Sequence, residues 1–162
     1  MTDRYRLTST QRGKIGDLQV ATVLMAQTDG LLTPFVPLSE DQGVDLIVLN
    51  KKTGVSLPIQ VKTWFLVPQH PPSRVQFDLN KATYSEGQRG AVVCVALDAS
   101  TLAISISWVI PLRRVAEVGT EQPKKYALAP SRLENSEDKY REFRCHTISE
   151  LATAVTVQLE DV

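Results

Sequence analysis

Cysteine and histidine are both scarce in this sequence, with two of each among 162 residues. A zinc site needs several such ligands at suitable spacing, and His70 and His146 have no such companions. Cys94 lies in the apolar run AVVCVAL and is predicted to be a small buried hydrophobe, whereas Cys145 has polar neighbours. Two cysteines placed so differently do not predict a disulfide framework, and this is typical of a reducing compartment.

Long apolar runs are missing as well. No stretch approaches the ~20 apolar residues of a membrane-spanning helix. The N-terminal segment MTDRYRLTSTQRGK lacks the hydrophobic region of a signal peptide, so the sequence predicts a cytoplasmic protein. A G-x-S-x-G nucleophile elbow and a G-x-x-x-x-G-K-[ST] phosphate loop are also absent, which argues against a serine hydrolase and a P-loop nucleotidase.

Neither sign of charge is in excess, because 18 basic residues balance 18 acidic ones. A protein that holds nucleic acid by bulk charge would be more basic, so any such role must depend on a local patch. The segment with Arg4, Arg6, Arg12 and Lys14 is one candidate, with only Asp3 against it. Taken alone, this segment is best interpreted as an exposed helix start with ordinary solubility charges.

The order of apolar segments predicts one domain over residues 1–162, with no internal repeat. The pattern indicates an α/β (α+β) fold in which a mixed β-sheet is flanked by helices on both faces. Its core is expected over about residues 8–118, where LLTPFVPL is an edge strand because of its prolines and FDLNKATYSEG is a short helix. Residues 119–162 are expected to form a polar irregular segment and a C-terminal helix capped by Thr147 and Glu150.

The segment TSTQRGKIGDLQVATVLMAQ predicts the first helix, with a capping box of Thr8 and Gln11. Asp17 lies beside the apolar face of this helix, not opposite it. Gly13 and Gly16 are poor helix formers, and they indicate that another segment approaches the backbone closely. The predicted apolar stripe consists of Ile15, Leu18, Ala21 and Met25.

The segment GVDLIVLNKKTGVSLPIQVKTW predicts a hairpin with a loop over residues 51–54. Counting outward from that loop places Asp45 opposite Gln60, with Cβ atoms about 5 Å apart. Lys62 lies two residues beyond Gln60 and therefore points to the same face. Three polar side chains thus converge at one end of a hairpin that is otherwise apolar on both faces, as a central strand is.

Two interpretations of this cluster remain open at this point. The first is a partly buried Asp–Lys ion pair with a hydrogen-bonding Gln, which is costly to desolvate and is weak evidence for stability. The second is a site for a hard cation. In that site Asp45 and Gln60 offer side-chain oxygen atoms, the carbonyl of Val61 is nearby, and water completes the shell, as Mg2+ prefers.

The cluster also resembles a known family. Asp45 followed by Gln60-x-Lys62 resembles the signature of the PD-(D/E)XK nuclease superfamily, with Gln60 at the middle acidic position. The segment RGKIGDLQVATVL resembles the G-x-x-G-E helix of archaeal Holliday-junction resolvases and related restriction-endonuclease-like proteins, with Asp17 at the position of the acid. WVIPL is similar to the closing strand of related uncharacterised members.

The similarity covers residues 12 to about 111 and implies a restriction-endonuclease-like fold. It also implies a Mg2+-dependent endonuclease that hydrolyses DNA phosphodiester bonds, with Mn2+ able to substitute. Lys62 would orient the attacking water and stabilise the charge of the transition state. The catalytic set would be Asp45, Gln60, Lys62 and Asp17, and the metal ligands would be Asp45, Gln60, the backbone carbonyl of Val61, and Asp17.

The same resemblance suggests where nucleic acid would bind. Arg12 and Lys14 at the start of the first helix, and Lys81 on the helix after the hairpin, would contact phosphates. The neutral net charge predicts a homodimer, or a protein partner that supplies further contacts with DNA phosphates. Compared with the family motif, Gln60 replaces an acidic residue and so removes one negative charge, and Asp17 replaces a Glu whose longer side chain reaches farther toward the metal. The alternative is therefore a non-catalytic nucleic-acid-binding or assembly module. A scaffold with a buried ion cluster is the third interpretation.

Overall fold

The computed structural model describes residues 6–39, 43–85 and 87–161. The α-helices in these ranges are α1 (Ser9–Gln27), α2 (Val115–Val118) and α3 (Ile148–Glu160). The strands are β1 (Leu32–Phe35), β2 (Leu46–Asn50), β3 (Ser56–Leu66), β4 (Phe77–Asn80), β5 (Ala91–Asp98), β6 (Ile104–Pro111), β7 (Thr120–Glu121), β8 (Lys125–Leu128) and β9 (Arg144–Cys145). None of the helices in these ranges is long and apolar enough to cross a bilayer.

The main sheet has the strand order β1-β2-β3-β5-β6-β9. β3 and β5 run parallel, from Ile59 opposite Ala91 to Leu66 opposite Asp98, and the other neighbours are antiparallel. The mixed sheet predicted from the sequence is therefore confirmed. β1 lies at one edge of this sheet, where its proline is tolerated, as predicted.

The two faces of the main sheet are covered differently. On the first face, α1 and α3 pack with alternate side chains of β3, among them Ile59 and Val61. On the second face, side chains such as Cys94 and Trp108 pack with a second sheet, of order β4-β8-β7, and with α2. Helices do lie on both faces, as predicted, but α2 is a single turn. The second sheet that joins it on this face was not predicted.

The segment FDLNKATYSEG does not form the predicted short helix. Its first four residues are β4, which pairs antiparallel with β8, and only Lys81–Thr83 forms a single 3-10 turn. Phe77 and Leu79 are buried while their neighbours are exposed, which is the period-two pattern of a half-buried strand. The helix prediction is wrong because this alternation is short and polar residues follow it directly. Lys81 therefore lies on a turn.

The segment after Gly119 is not irregular throughout, since it contains β7, β8 and β9. Arg144 orders the polar residues that precede β9. Its side chain is 2% exposed, lies 3.4 Å from the Asp138 carboxylate, and donates hydrogen bonds to the carbonyls of Leu133 and Ser136. These hydrogen bonds give each terminal nitrogen of the buried Arg144 guanidinium an acceptor. The irregular assignment is wrong here because such contacts leave no trace in hydrophobic periodicity.

Helix α1 begins where predicted but buries a different face. The Thr8 hydroxyl accepts from the Gln11 N–H at 3.1 Å, and the Gln11 side chain accepts from the Thr8 N–H at 2.9 Å. Two residues of the predicted stripe, Leu18 and Met25, are 62% and 43% exposed. The prediction is wrong for these two residues, whereas Ile15 and Ala21 do pack against the core. α1 packs through Gly16, and hydrophobicity does not reveal a face centred on a residue without a side chain. The buried positions are Gly16, Asp17, Val20, Val23 and Leu24.

The sequence predicts an apolar stripe of Ile148, Leu151, Ala152, Val155 and Leu159 on helix α3, and all of these except Ile148, which is 38% exposed, are buried. The Thr147 hydroxyl accepts from the Glu150 N–H at 3.1 Å, so the predicted cap is confirmed. The Glu150 carboxylate accepts from the His146 N–H at 2.6 Å, one residue before the expected donor. The side chains that α3 buries toward the main sheet are Leu151, Ala152, Val155 and Leu159.

Both cysteines are buried and neither forms a disulfide in the described ranges. The prediction for Cys94 is confirmed, and Cys145 is buried in spite of its polar neighbours. Burial raises the pKa of the Cys145 thiol to about 11 and raises that of Cys94 far above its ordinary value. Both side chains are therefore neutral thiols at physiological pH.

Candidate nuclease site

The hairpin of β2 and β3 has the predicted register. The pairs run from Leu49 opposite Ser56 to Leu46 opposite Ile59, which is the predicted register. Asp45 lies one residue beyond the last pair, and its N–H donates to the Ile59 carbonyl at 2.9 Å, so the regular ladder ends at Leu46. Gly54, at φ 73°, lies in the turn that closes the hairpin. The register prediction is therefore confirmed over Leu46–Leu49, but Asp45 and Gln60 are not a ladder pair.

The Asp45 carboxylate ends this ladder. Its Oδ2 accepts a hydrogen bond from the backbone N–H of Val61 at 2.7 Å. β2 begins only at Leu46, so this carboxylate takes the place of a strand partner for Val61. The N–H and C=O of one strand residue point to the same side. The carbonyl of Val61 therefore points toward the same margin as the Asp45 side chain.

Gln60 lies beside a glycine that has no room for a side chain. Gly43 has φ 69°, and a Cβ there would lie 3.2 Å from Gln60 Nε2 and 2.9 Å from the side chain of Thr83. Glycine thus lets the chain before β2 approach the amide closely. The contact with Thr83 also brings the turn Lys81–Thr83 beside Gln60. The sequence did not reveal this contact because it joins three separate segments.

Lys62 points to the second face of the sheet, next to the second sheet. It is the parallel-strand neighbour of Cys94 on β5. Partial burial acts to raise the pKa of Asp78 on β4, but hydrogen bonds from Lys125 and Gln76 and the charges of Lys125 and Lys62 together lower it. Lys62 is thus one of the charges that lower the pKa of Asp78.

Asp17 is buried on the first face of the sheet, where α1 crosses β3. It is 7% exposed, and Lys14 Nζ lies 3.4 Å from its Oδ2. A Cβ on Gly16 would lie 1.8 Å from Thr63 Oγ1, so the close approach predicted for this glycine is confirmed. Gly13 has no such neighbour within 4 Å, and the prediction is wrong there. The contact at Gly16 brings the backbone of Asp17 against β3.

Asp45, Gln60 and Lys62 lie at the margin where β2 ends beside β3, whereas Asp17 lies on the other face of β3 with α1. Gln60 and Lys62 point to the second face, Asp45 reaches Val61 along the ladder, and α1 brings Asp17 to the first face. Carboxylate, amide and backbone carbonyl oxygens are ligands that Mg2+ accepts, so the donor set fits this ion. The described ranges contain no cluster of three His, Cys, Asp or Glu side chains.

The predicted phosphate contacts are in different environments. Arg12 is exposed and stacks over the Phe65 ring at 5.5 Å, while Lys14 lies against Asp17. Lys81 pairs with Glu121 at 2.6 Å and also lies over the Tyr126 ring at 5.1 Å. Arg6 is exposed, and Arg4 lies outside the described residues.

The second sheet carries basic residues that the sequence did not single out. Lys124 and Lys125 join Lys81 around an open cavity of about 590 Å3 next to β4. This arrangement depends on the pairing of β4 with β8, in which Asn80 lies opposite Lys125. No local motif signals it, because the two strands are far apart in the chain.

Comparison with known proteins supports the fold. No family profile matches the chain, and no curated protein matches it in sequence. The structure of a bacterial homing endonuclease, I-Ssp6803I, matches with a TM-score of 0.56 and 15% identity, over 97% of this chain and 100% of that one. This chain has a nuclease fold.

The predicted fold class is thereby confirmed, and the chain shares its fold with an endonuclease, as the resemblance implied. A Holliday junction resolvase, Hjc of Archaeoglobus fulgidus, is also similar. It matches with a TM-score of 0.46 and 12% identity, over 85% of this nuclease-fold chain and 95% of the resolvase.

Proposed function

We propose that this protein is a Mg2+-dependent endonuclease that hydrolyses DNA phosphodiester bonds. The observation that carries the proposal is the Asp45 carboxylate bound to the Val61 N–H, where the β2–β3 ladder ends on a nuclease fold. This places an acidic group beside a strand carbonyl at the margin of the sheet. The likeness to a homing endonuclease supports DNA as the substrate.

Each residue of the site has a role in this reaction. Oxygen atoms of Asp45, Gln60, Val61 and Asp17 would hold Mg2+. The ion would lower the pKa of a bound water molecule and polarise a phosphoryl oxygen. The ammonium of Lys62 would orient the attacking water and stabilise negative charge on the phosphoryl group. As the water oxygen bonds to phosphorus, it would lose a proton to solvent. The bond from phosphorus to the leaving sugar oxygen would break, and that oxygen would take up a proton from solvent.

The test measures cleavage of supercoiled and branched DNA with Mg2+ or Mn2+. Asp45→Asn keeps an oxygen that can accept from the Val61 N–H but removes the charge, and Lys62→Ala removes the ammonium. Each is expected to slow cleavage by at least about a hundredfold, or roughly 2.7 kcal/mol. Lys52→Ala, in the exposed hairpin turn, is the matched control and should cleave like the wild type. Equal rates for all four proteins would refute the proposal.

A second candidate is a DNA-binding or assembly module without catalysis. Gln60 at the middle acidic position favours it, as does the lack of a cluster of three acidic, cysteine or histidine ligands in the described ranges. Such a module would bind DNA but cut none of the tested forms with either metal. In that case the Asp45→Asn variant would bind DNA as well as the wild type does.

We also propose that the chain acts as a homodimer or with a protein partner. It has no net charge, and one neutral domain makes few phosphate contacts by bulk electrostatics. Sedimentation of the purified protein with and without a DNA duplex measures the stoichiometry. A single copy that binds and cuts at physiological salt would contradict this expectation.

A further inference from the structure

The second sheet presents three lysines on one surface, which we call the lysine rim: Lys81, Lys124 and Lys125. They line the cavity of about 590 Å3 beside Asp78 and Asn80. Lys81 reaches it from the turn after β4, and the other two from the start of β8 and the residue before it. The N–H of Lys81 donates to the Lys124 carbonyl at 2.9 Å, so the two loops are joined directly.

Two independent contacts connect this rim to the candidate site. Thr83, at the end of the Lys81 turn, packs on Gly43, which also packs on Gln60. On the other side of the rim, β4, which carries Asp78, packs against β3, which carries Lys62. The rim therefore lies on the same face of the main sheet as Gln60 and Lys62.

The rim has an excess of positive charge on a chain that has no net charge. Lys81 pairs with Glu121 at 2.6 Å, and Lys125 pairs with Asp78 at 2.8 Å. Lys124 is exposed and makes no ion pair within the ranges that the structure describes. Both ion pairs have partly exposed partners, so each holds its lysine only weakly against competition from phosphate.

We infer that the lysine rim binds the phosphate backbone of the DNA duplex on one side of the bond that is cut. The inference rests on the proposed function, and it extends the site by two residues, Lys124 and Lys125. Lysine ammonium groups are point charges that bind phosphate without reading bases, so the rim would add affinity and not sequence preference. Because Lys124 is exposed rather than buried in a pocket, a polyanion with several phosphates fits the rim better than a single small anion.

Binding is measured by fluorescence anisotropy with a labelled DNA duplex over a series of salt concentrations, in EDTA so that no cleavage occurs. Lys124→Gln is the key variant because it breaks no ion pair, and a triple glutamine variant removes the whole rim. The matched control is Lys51→Gln with Lys52→Gln, two exposed lysines in the hairpin turn. Circular dichroism checks that each variant is folded.

We expect Lys124→Gln to weaken DNA binding about three- to tenfold. The slope of the logarithm of the binding constant against the logarithm of the salt concentration should fall in magnitude by about 0.9. In the triple variant the losses of binding free energy should be roughly additive. The control should match the wild type. Unchanged affinity and slope in the triple variant would overturn the inference, and so would equal competition by an acidic peptide, which would indicate a protein partner instead. Undetectable binding by the wild type would overturn it too.

This outcome is separable from that of the proposed function. If the wild type binds DNA through the rim but cuts no DNA with Mg2+ or Mn2+, the nuclease proposal is refuted and DNA binding by the rim is supported. If the wild type cuts DNA and the triple variant binds and cuts it equally well, DNA binding by the rim is refuted and the nuclease proposal is supported.

Discussion

Helices α1 and α3 lie on the same face of the main sheet, start with the same kind of cap, and share one hydrophobic cluster. Their buried faces nevertheless differ in kind. α3 buries only apolar side chains, whereas α1 buries Gly16 and Asp17 and leaves Leu18 and Met25 in solvent. α3 follows the amphipathic rule and α1 departs from it.

The difference is consistent with the proposed role of α1 in the site. A buried carboxylate is costly unless it is paired, and here Lys14 lies 3.4 Å from Asp17. A helix selected only for stability would place an apolar side chain at that position. Departures from local rules are expected at functional sites, where the cost is offset elsewhere in the fold. The contrast between α1 and α3 leads to four predictions.

The largest expected effect is on activity, from Asp17→Asn in α1. Cleavage should slow by at least about a hundredfold because the site loses one of its two carboxylates. The free energy of unfolding should change by less than about 1 kcal/mol, since the amide keeps the size of the side chain. Glu160→Gln at the exposed end of α3 is the control. Cleavage at the wild-type rate by Asp17→Asn would show that α1 is not part of the site.

The next effect is on stability, from Leu151→Ala in α3. Leu151 is fully buried, and its truncation leaves a cavity next to the main sheet. We expect a loss of about 2–5 kcal/mol in urea unfolding. In the cleavage assay, the remaining folded protein should keep its specific activity, because α3 supplies no residue to the site. A selective loss of activity would break the contrast between the two helices.

A smaller loss is expected from Gly16→Ala. The new Cβ would lie 1.8 Å from Thr63 Oγ1, so α1 or Thr63 must shift, at a cost of about 1–3 kcal/mol. Gly13→Ala is a matched control in the same helix with nothing within 4 Å, and it should stabilise the protein by up to about 1 kcal/mol. Thermal unfolding of both variants and of Gly16→Ala with Thr63→Ala tests this. If the two alanine variants behave alike, α1 does not pack through Gly16.

The smallest effect is expected from Leu18→Gln. Leu18 is 62% exposed, so the change should stay within about 0.5 kcal/mol in urea unfolding. Val155→Gln in α3 is the comparison variant, because it would bury an amide in the hydrophobic cluster that α1 and α3 share. Its loss of unfolding free energy should be several-fold larger than that of Leu18→Gln. A large loss from Leu18→Gln would mean that a second copy or another protein covers this face of α1.

The hairpin and the second sheet show how far the sequence could predict this fold. The register that places Leu46 opposite Ile59 follows from alternation and a short loop, which are local properties. The pairing of β4 with β8 joins residues 77–80 to residues 125–128 through short strands with polar neighbours. Neither strand is long enough for its pattern to identify the partner, so the lysine rim could not be predicted.

The sequence by itself determined the capped helix starts, the hairpin register and the polar trio at its end, because each depends on residues within one turn or one loop. Only the tertiary structure decided that α1 packs through Gly16, that Asp17 is buried there, and that Lys124 joins Lys81 near the site. These features depend on close contacts between segments far apart in the chain. Such contacts are set by packing and hydrogen bonding, which hydrophobic periodicity does not encode.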